Sequence, residues 1–166
     1  GYLQNSNDPF YLTNLQQPIP REGQPDNYPE SRLRLRSQHS LALINNDKKY
    51  SLEDVVDMKY SMKIVAADRL KGELIGLMEK TADYKAAASY LDKWDNTSSA
   101  ASQGSVLFNE WFWNYRSLVG ADSIYREPWD WDKPMTTPFG INNRDSAVKA
   151  MTMAIDTLES KYGSFK

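Results

Sequence analysis

The most apolar segment of the chain is residues 105–118, which read SVLFNEWFWNYRSL. Its large apolar side chains recur every three or four residues, the spacing that gathers them on one face of an α-helix. A helix with so wide an apolar face has to be covered by other elements, so this segment predicts a core of packed helices. The residues of that face are Leu107, Phe108, Trp111, Phe112, Tyr115 and Leu118.

Four other segments show apolar residues at the same helical spacing. One begins at Ser51, a predicted N-cap, because its hydroxyl can accept from first-turn amides and because Glu53 and Asp54 face the positive end of the helix dipole. The last is followed by Gly163, which stands where a left-handed residue commonly ends a helix. The apolar positions are Leu52, Val55 and Val56; Ala67, Leu70, Leu74, Leu77 and Met78; Tyr84, Ala87, Ala88, Leu91 and Trp94; and Val148, Met151, Ile155, Leu158 and Tyr162.

The remaining segments predict long loops around these helices. Residues 1–29 are expected to begin with a short strand and to continue as a wrapping loop, which its prolines keep irregular. Helices follow over residues 30–120. Residues 121–143, rich in Pro and Trp, are expected to be an irregular loop before a C-terminal helix over residues 144–166. The prediction is a single, mainly α domain of five to six helices with little strand.

Composition removes several classes of function. The 166 residues carry 20 Lys and Arg against 22 Asp and Glu, a net charge of −2, so we expect no nucleic-acid partner, which normally requires a basic face. The absence of Cys excludes disulfide frameworks and Cys-bound zinc, and a single histidine, His39, cannot supply a multi-histidine metal site. No apolar run approaches the roughly 18–20 residues that a membrane span requires, so none is expected.

Few residues are candidates for catalysis or binding, and each of these candidates can also be interpreted as structural. The chain has no Gly-rich phosphate loop, no His-Glu-x-x-His pair and no serine in a Gly-x-Ser-x-Gly turn. His39 is either a general base or an ordinary, partly exposed helix residue. The tract Trp129-Asp130-Trp131-Asp132 either binds a glycan or a cation or anchors an irregular loop through its indoles.

Two polar tracts nearer the N-terminus are ambiguous in the same way. Residues 5–8, Asn-Ser-Asn-Asp, fit a turn, because Asn and Asp side chains bond their own backbone, but a fixed Asn amide can also donate to an oxyanion. Arg32, Arg34 and Arg36 share one face if they belong to a strand, and they fan around the axis if they belong to a helix. They form either a solvated basic edge or part of a site.

Six short motifs occur in order along nearly the whole chain. They are residues 1–8 (GYLQNSND), 11–14 (YLTN), 34–36 (RLR), 50–54 (YSLED), 91–95 (LDKWD) and 104–108 (GSVLF). In this order they resemble the β subunit of penicillin acylase-type enzymes, which belong to the N-terminal nucleophile hydrolases. The first motif resembles that family's Gly-Tyr-x-x-Asn-x-Asn segment. The second and third are closest to its acyl-homoserine-lactone and aculeacin acylase branch.

The resemblance implies hydrolysis of the amide bond of a small acyl-amide substrate. The nucleophile in this family is a serine that autoproteolysis exposes at the start of the β chain, and its own α-amine is the base. By the same resemblance the side-chain amide of Asn7 donates to the oxyanion. Arg34 orders the site, with Arg36 as the alternative to Arg34. No cofactor is required, a structural calcium is allowed in the full-length protein, and the parent protein is expected to be periplasmic or secreted.

The chain departs from the family at its first residue, which is Gly1 and not the serine nucleophile. We therefore expect an internal piece of a β subunit, the mainly helical part of an αββα fold, which is inactive alone. Its partners would be the α subunit and the nucleophile-bearing strands of the β subunit. The rival hypothesis is a stand-alone helical module that binds a glycan or a protein with the loop over residues 121–143; exposed, coplanar Trp129 and Trp131 would favour it.

Overall fold

The computed structural model describes residues 1–165, with only the backbone described at residue 83. Six α-helices and one pair of short strands lie in that range, so the predicted mainly α class is confirmed. The strands β1 (Tyr125–Glu127) and β2 (Phe139–Ile141) are antiparallel, with Tyr125 opposite Ile141. None of the helices described is long and apolar enough to cross a membrane. The helices are α1 (Leu35–Ile44), α2 (Leu52–Lys59), α3 (Val65–Met78), α4 (Lys85–Asp92), α5 (Ser105–Val119) and α6 (Arg144–Tyr162).

The chain divides into two compact units. The first unit consists of Gly1–Ser61 together with Trp129–Thr137. The second consists of Met62–Pro128 together with the described residues from Pro138 onward. Each unit contains its own cluster of buried apolar side chains, and therefore a core of its own.

Helix α5 is the centre of the second unit, as its apolar face predicts, and α6 packs along it. Trp111 and Tyr115 stack with their ring centroids 5.4 Å apart. Their polar atoms are satisfied, because the Trp111 indole N–H donates to Ala147 O (3.0 Å) and the Tyr115 hydroxyl donates to Ile124 O (3.1 Å). The buried residues on α5 are Leu107, Phe108, Trp111 and Tyr115.

The predicted faces of α3 and α4 are mostly buried, but that of α6 is only partly correct: Met151 and Leu158 are buried, whereas Tyr162 is 73% exposed because it is the last residue of the helix. Small side chains on α6 allow a close approach to α5, and α3 and α4 pack against each other. Gly163 ends α6 in the left-handed conformation, with φ +75°, as its position predicts. The buried residues of these helices are Ala67, Leu70, Leu74 and Met78 on α3, Ala87, Ala88 and Leu91 on α4, and Ala147, Ala150, Met151, Ala154 and Leu158 on α6.

Within the second unit, Glu73 on α3 binds both strands of the pair. Its carboxylate accepts from the Ile141 backbone N–H (2.9 Å) and from the Arg126 guanidinium (2.7 Å). Burial raises the pKa of Glu73, but these two hydrogen bonds outweigh burial and hold that pKa below its ordinary value of 4.5. Gly140 has φ +74°, a left-handed conformation that other side chains rarely adopt, so this position favours glycine.

The first unit has a smaller core, which α1 covers. Gln38 of α1 is buried within it, and its side-chain amide donates to Leu33 O (3.1 Å) and to Thr137 O (2.6 Å). The second of these hydrogen bonds joins the two segments of chain that make up the unit. The buried apolar residues of this core are Tyr11, Leu12, Leu33 and Leu41.

Helix α2 belongs to the first unit but has no buried residue. Ser51 is its N-cap, as predicted: the Ser51 hydroxyl accepts from Asp54 N–H (3.1 Å), and the Asp54 carboxylate accepts from Ser51 N–H (2.8 Å). Its predicted apolar stripe is uncovered, because Leu52, Val55 and Val56 are 73%, 51% and 43% exposed. The pattern therefore identifies the helix correctly although nothing in the described chain covers its apolar face.

Three details differ from the sequence-based expectation or resolve it. The prediction of a short strand at residues 1–4 is wrong: no ladder forms there in the described chain, and the Gln4 N–H instead donates to Thr13 O (2.9 Å). Residues 121–143, expected to be irregular, contain β1 and β2, whose three-residue length is too short for a period-two pattern to stand out. The alternating arginines belong wholly to neither a strand nor a helix, because the chain is extended at Arg34 and helical from Leu35, the first residue of α1.

Candidate active site

The first eight residues follow the surface of the first unit with their side chains alternating in exposure. This alternation is that of an extended chain, in which successive side chains point to opposite sides. On the inner side, the Tyr2 hydroxyl donates to Asn45 Oδ1 (2.9 Å), and Tyr2 O accepts from the Asn14 amide (3.1 Å). The exposed residues are Gly1, Leu3, Asn5 and Asn7, and the half-buried ones are Tyr2, Gln4, Ser6 and Asp8.

Asn7 stands on the exposed side at a tight turn. Its φ is +66°, a left-handed conformation that Asn tolerates better than most residues. The Asn7 N–H donates to Asn5 Oδ1 (2.6 Å), and the Asn5 amide donates to Asp8 O (3.1 Å), so side chains close the turn. The Asn7 side-chain amide makes no hydrogen bond to any described residue and is therefore a donor directed at solvent.

The Asp8 carboxylate ties this turn to the start of α1. The side chain of Asp8 is only 4% exposed, and it accepts from Arg34 N–H (2.8 Å), Arg34 Nε (2.5 Å) and the Ser37 hydroxyl (2.5 Å). Burial raises the pKa of Asp8, but the hydrogen bonds from Ser37 and Arg34 and the Arg34 charge hold that pKa below its ordinary value of 3.8. The carboxylate is therefore ionised at neutral pH.

The structure brings together Asn7, Arg34 and Arg36, the three site residues that the resemblance singles out. The Arg34 guanidinium donates to Asn7 O, and the Arg36 guanidinium donates to Ser6 O, so both arginines hold backbone carbonyls of one turn. Arg34 contacts Asn7 itself, whereas Arg36 reaches the residue before it. Arg32 is further away, with its Nε 3.9 Å from Asp8 Oδ1.

A neutral amide donor beside two guanidinium groups can stabilise developing negative charge. A side-chain N–H stabilises an oxyanion when its backbone is fixed before the reaction and the N–H is aimed at the place where the charge forms. Here the backbone of Asn7 is fixed on both sides, and its amide is left available. The positive charge of Arg34 and Arg36 adds to the favourable potential at the turn.

The other sequence candidates do not assemble into a site. His39 lies half-buried on α1, where its Nε2 is 2.8 Å from the Ser61 hydroxyl. Trp129 and Trp131 are half-buried and perpendicular, with an interplanar angle of 90° and centroids 6.5 Å apart. Trp131 packs edge-on against Tyr11 (6.4 Å). These indoles anchor the first unit and do not form the coplanar, exposed pair that a stand-alone binding module would need.

Among the residues that the structure describes, no three or more acidic or histidine side chains gather closely enough to hold a metal ion. Calcium prefers six to eight oxygen ligands, usually with several carboxylates. The structural calcium that the resemblance allows in the full-length protein stays a prediction.

Asp8 and Ser37 are the members of this cluster that sequence reasoning missed. Asp8 was interpreted only as a turn residue, and its partner Arg34 lies 26 residues further along the chain. A single sequence carries no signal for a contact across that distance. The one available hint is that a carboxylate follows directly on Asn7 in a tract whose other residues are neutral.

Comparison with known families identifies the family of the chain. The family model described as penicillin amidase matches residues 1–166, the whole chain. The chain belongs to the penicillin amidase family, a family of hydrolases of the N-terminal nucleophile type. The resemblance found from the six motifs is thereby confirmed at the level of the family, while its acyl-homoserine-lactone branch remains a prediction.

Proposed function

We propose that this chain supplies the oxyanion-stabilising part of an acyl amide hydrolase, with Asn7 as the donor. The observation that carries the proposal is the state of Asn7: a left-handed backbone fixed by Asn5 and Arg34, and a side-chain amide left free at the surface. The nucleophile in this proposal is an N-terminal serine outside these 166 residues. Membership of the penicillin amidase family supports that assignment.

The proposed reaction is acyl transfer to the serine followed by hydrolysis. The serine oxygen attacks the amide carbon while its proton passes to the α-amine, and the carbonyl electron pair moves onto oxygen. The Asn7 amide stabilises that oxyanion. When the carbonyl re-forms, the C–N bond breaks and the amine leaves with the proton. Water then attacks the acyl ester through a second oxyanion, which releases the acid and regenerates the serine.

Arg34 orders the site in this proposal, with Arg36 in support. Both act on backbone carbonyls of the turn and not on the reacting atoms. Their effect is therefore to keep the Asn7 amide in place, and they contribute a favourable potential for the oxyanion. Of the two, Arg34 is the better candidate because it contacts Asn7 O directly.

The substrate, location, processing and partners of the full-length protein are also proposals. They rest on the resemblance of residues 11–14 and 34–36 to the acyl-homoserine-lactone and aculeacin acylase branch. The substrate would be a small molecule with an acyl chain in amide linkage. The mature enzyme would be periplasmic or secreted, produced by autoproteolysis, and assembled with an α subunit and the nucleophile-bearing strands. This chain alone would not turn over substrate.

The test is Asn7→Gly in the full-length enzyme, assayed for release of the amine from an acyl-homoserine lactone and an acyl-amide chromogen. Glycine keeps the left-handed backbone and removes only the amide. We expect kcat to fall about 10²–10³-fold, as for loss of other oxyanion donors, with little change in KM. Asn27→Gly, at an exposed asparagine in the Pro-rich loop, is the matched control and should retain wild-type kcat. An unchanged kcat in Asn7→Gly would overturn the assignment of Asn7.

A further inference from the structure

Asp8 is the most connected side chain of the turn. Both of its oxygens are in use: Oδ1 accepts from Arg34 Nε (2.5 Å) with Arg32 Nε 3.9 Å away, and Oδ2 accepts from Arg34 N–H (2.8 Å) and the Ser37 hydroxyl (2.5 Å). Arg34 is the N-cap residue of α1, and its own side chain makes no cap hydrogen bond. From another part of the chain, Asp8 supplies an acceptor for the Arg34 N–H, one of the unpaired backbone donors at the helix start, with its negative charge at the positive end of the helix.

The same contacts connect Asp8 to the backbone of Asn7. The Arg34 guanidinium is shared, since Nε donates to the Asp8 carboxylate and Nη2 donates to Asn7 O. A guanidinium is planar and rigid, so fixing one of its nitrogens fixes the direction of the other. The Asp8 carboxylate thus determines where Arg34 holds the Asn7 carbonyl, and with it the plane of the peptide that follows Asn7.

The Asp8 side chain lies on the opposite side of the segment from Asn7. It is 4% exposed and belongs to the inner set of the alternation, whereas Asn7 belongs to the outer set. A buried carboxylate that accepts hydrogen bonds from Arg34 and Ser37 has no proton to give at neutral pH. Any effect of Asp8 on the reaction must therefore pass through the position of Asn7.

We infer that Asp8 is a positioning residue, which fixes the oxyanion donor Asn7 by anchoring its turn through Arg34 and Ser37 to the start of α1. The inference rests on the proposed function of Asn7. It adds that the donor is held by an ion pair between the buried Asp8 carboxylate and the exposed Arg34 at the start of α1, and not by the turn alone. It predicts that loss of the Asp8 charge lowers turnover without weakening substrate binding.

The test is Asp8→Asn in the full-length enzyme, with kcat expressed per processed active site so that incomplete autoproteolysis does not enter. Asparagine has nearly the same shape but presents one acceptor oxygen in place of two and carries no charge. We expect kcat to fall about 10- to 100-fold with KM unchanged, because a displaced donor loses transition-state stabilisation. Asp132→Asn, at an exposed carboxylate of the same unit, should behave as wild type.

The decisive measurement is the double variant Asp8→Asn with Asn7→Gly. If Asp8 acts through the Asn7 amide, removing that amide abolishes the effect of Asp8, and the double variant has the kcat of Asn7→Gly alone. A further 10-fold loss in the double variant, a rise in KM alone, or a wild-type kcat in Asp8→Asn would overturn the inference. If Asn7→Gly itself retains wild-type kcat, the proposed function fails instead, and the two failures are distinguishable.

Ser37→Ala covers the case in which Asp8→Asn does not fold. It removes one hydrogen bond to the carboxylate and leaves the Arg34 ion pair. We expect a smaller loss of kcat, about 3- to 10-fold, again without a change in KM and again absent on the Asn7→Gly background. A loss that persists on that background would count against the inference in the same way.

Discussion

At the scale of single residues, the conformation of Gly104 determines how α5 begins. Gly104 is the N-cap residue of α5 and has φ +94°, and a Cβ there would lie 2.8 Å from the Cβ of Trp94. Trp94 cannot move aside, because its indole N–H donates to Thr97 O (2.8 Å) and to the Ser102 hydroxyl (2.7 Å). The start of the central helix therefore depends on the absence of one carbon atom.

We predict that Gly104→Ala lowers the free energy of unfolding by roughly 2–5 kcal/mol. Backbone strain at positive φ contributes about 1–3 kcal/mol, and overpacking against Trp94 contributes a similar amount. The matched control is Gly72→Ala in α3, where a Cβ meets no atom within 4 Å, and which should stabilise the chain by about 0.5–1 kcal/mol. Urea unfolding of both variants measures the difference. Equal stability of the two variants would contradict the account.

The candidate site was predicted from sequence only in part, and the reason lies at this scale. The tract of residues 5–8 and the three arginines stand out by composition, but composition leaves each of them two interpretations. The resemblance to the acylases, and not residue spacing, selected Asn7, Arg34 and Arg36. The role of Asp8 depends on a contact 26 residues away and on the burial of its carboxylate, neither of which a single sequence contains.

At the scale of elements, the same capping interaction has different consequences in two helices. α2 begins with a capping box at Ser51 but buries no residue. α6 begins at Asn143, whose side chain accepts from Ser146 N–H (2.9 Å), and it buries one face in the core of the second unit. The stability of α2 is thus mostly its own, whereas that of α6 is shared with the core.

We predict that Ser51→Ala and Asn143→Ala each cost about 1 kcal/mol, but in different measurements. For Ser51→Ala the loss appears as faster hydrogen exchange of the α2 amides, with the urea midpoint of the chain unchanged, because α2 can unfold by itself. For Asn143→Ala it appears as a lower free energy of global unfolding. A shift of the global midpoint in Ser51→Ala equal to that in Asn143→Ala would show that α2 is coupled to a core.

Elements were predictable from sequence where packing follows helical spacing. The faces of α3, α4 and α5 were largely identified because each buries most of the residues that recur every three or four positions. The face of α6 was identified only in part, because its contact with α5 is made mostly by alanines, which the apolar pattern did not single out. The strand pair was not identified, because β1 and β2 have three residues each and depend on Glu73 and Gly140. Residues 1–4 alternate in exposure like a strand, but no ladder forms in the described chain. The periodicity of a segment can be read from its own sequence, but the strand with which it pairs cannot.

At the scale of the whole molecule, the two units differ in the size of their cores. Among the residues described, four buried apolar side chains form the core of the first unit and nineteen form that of the second. Burial of each large apolar side chain contributes roughly 1.5–3 kcal/mol, so the first unit has much less to oppose the entropy of its long loops.

We predict that the first unit opens at lower free energy than the second. Native-state hydrogen exchange followed by mass spectrometry should show the α1 amides exchanging well before those of α5 and α6 as urea is raised. The comparison is internal, since all three helices are measured in one sample. Equal protection of α1 and α6 at every urea concentration would mean that both units unfold in a single cooperative step.

The first unit is built from two distant segments of the chain, which affects how it forms during synthesis on the ribosome. The hydrogen bond from the buried Gln38 amide to Thr137 O cannot form until Thr137, 99 residues further along the chain, has been synthesised. At about 5–20 residues per second this interval lasts roughly 5–20 s. During that time the nascent chain already contains Asn7, Asp8 and Arg34, yet the core beneath them is incomplete. The turn that contains Asn7 is thus translated several seconds before the last residue that supports it.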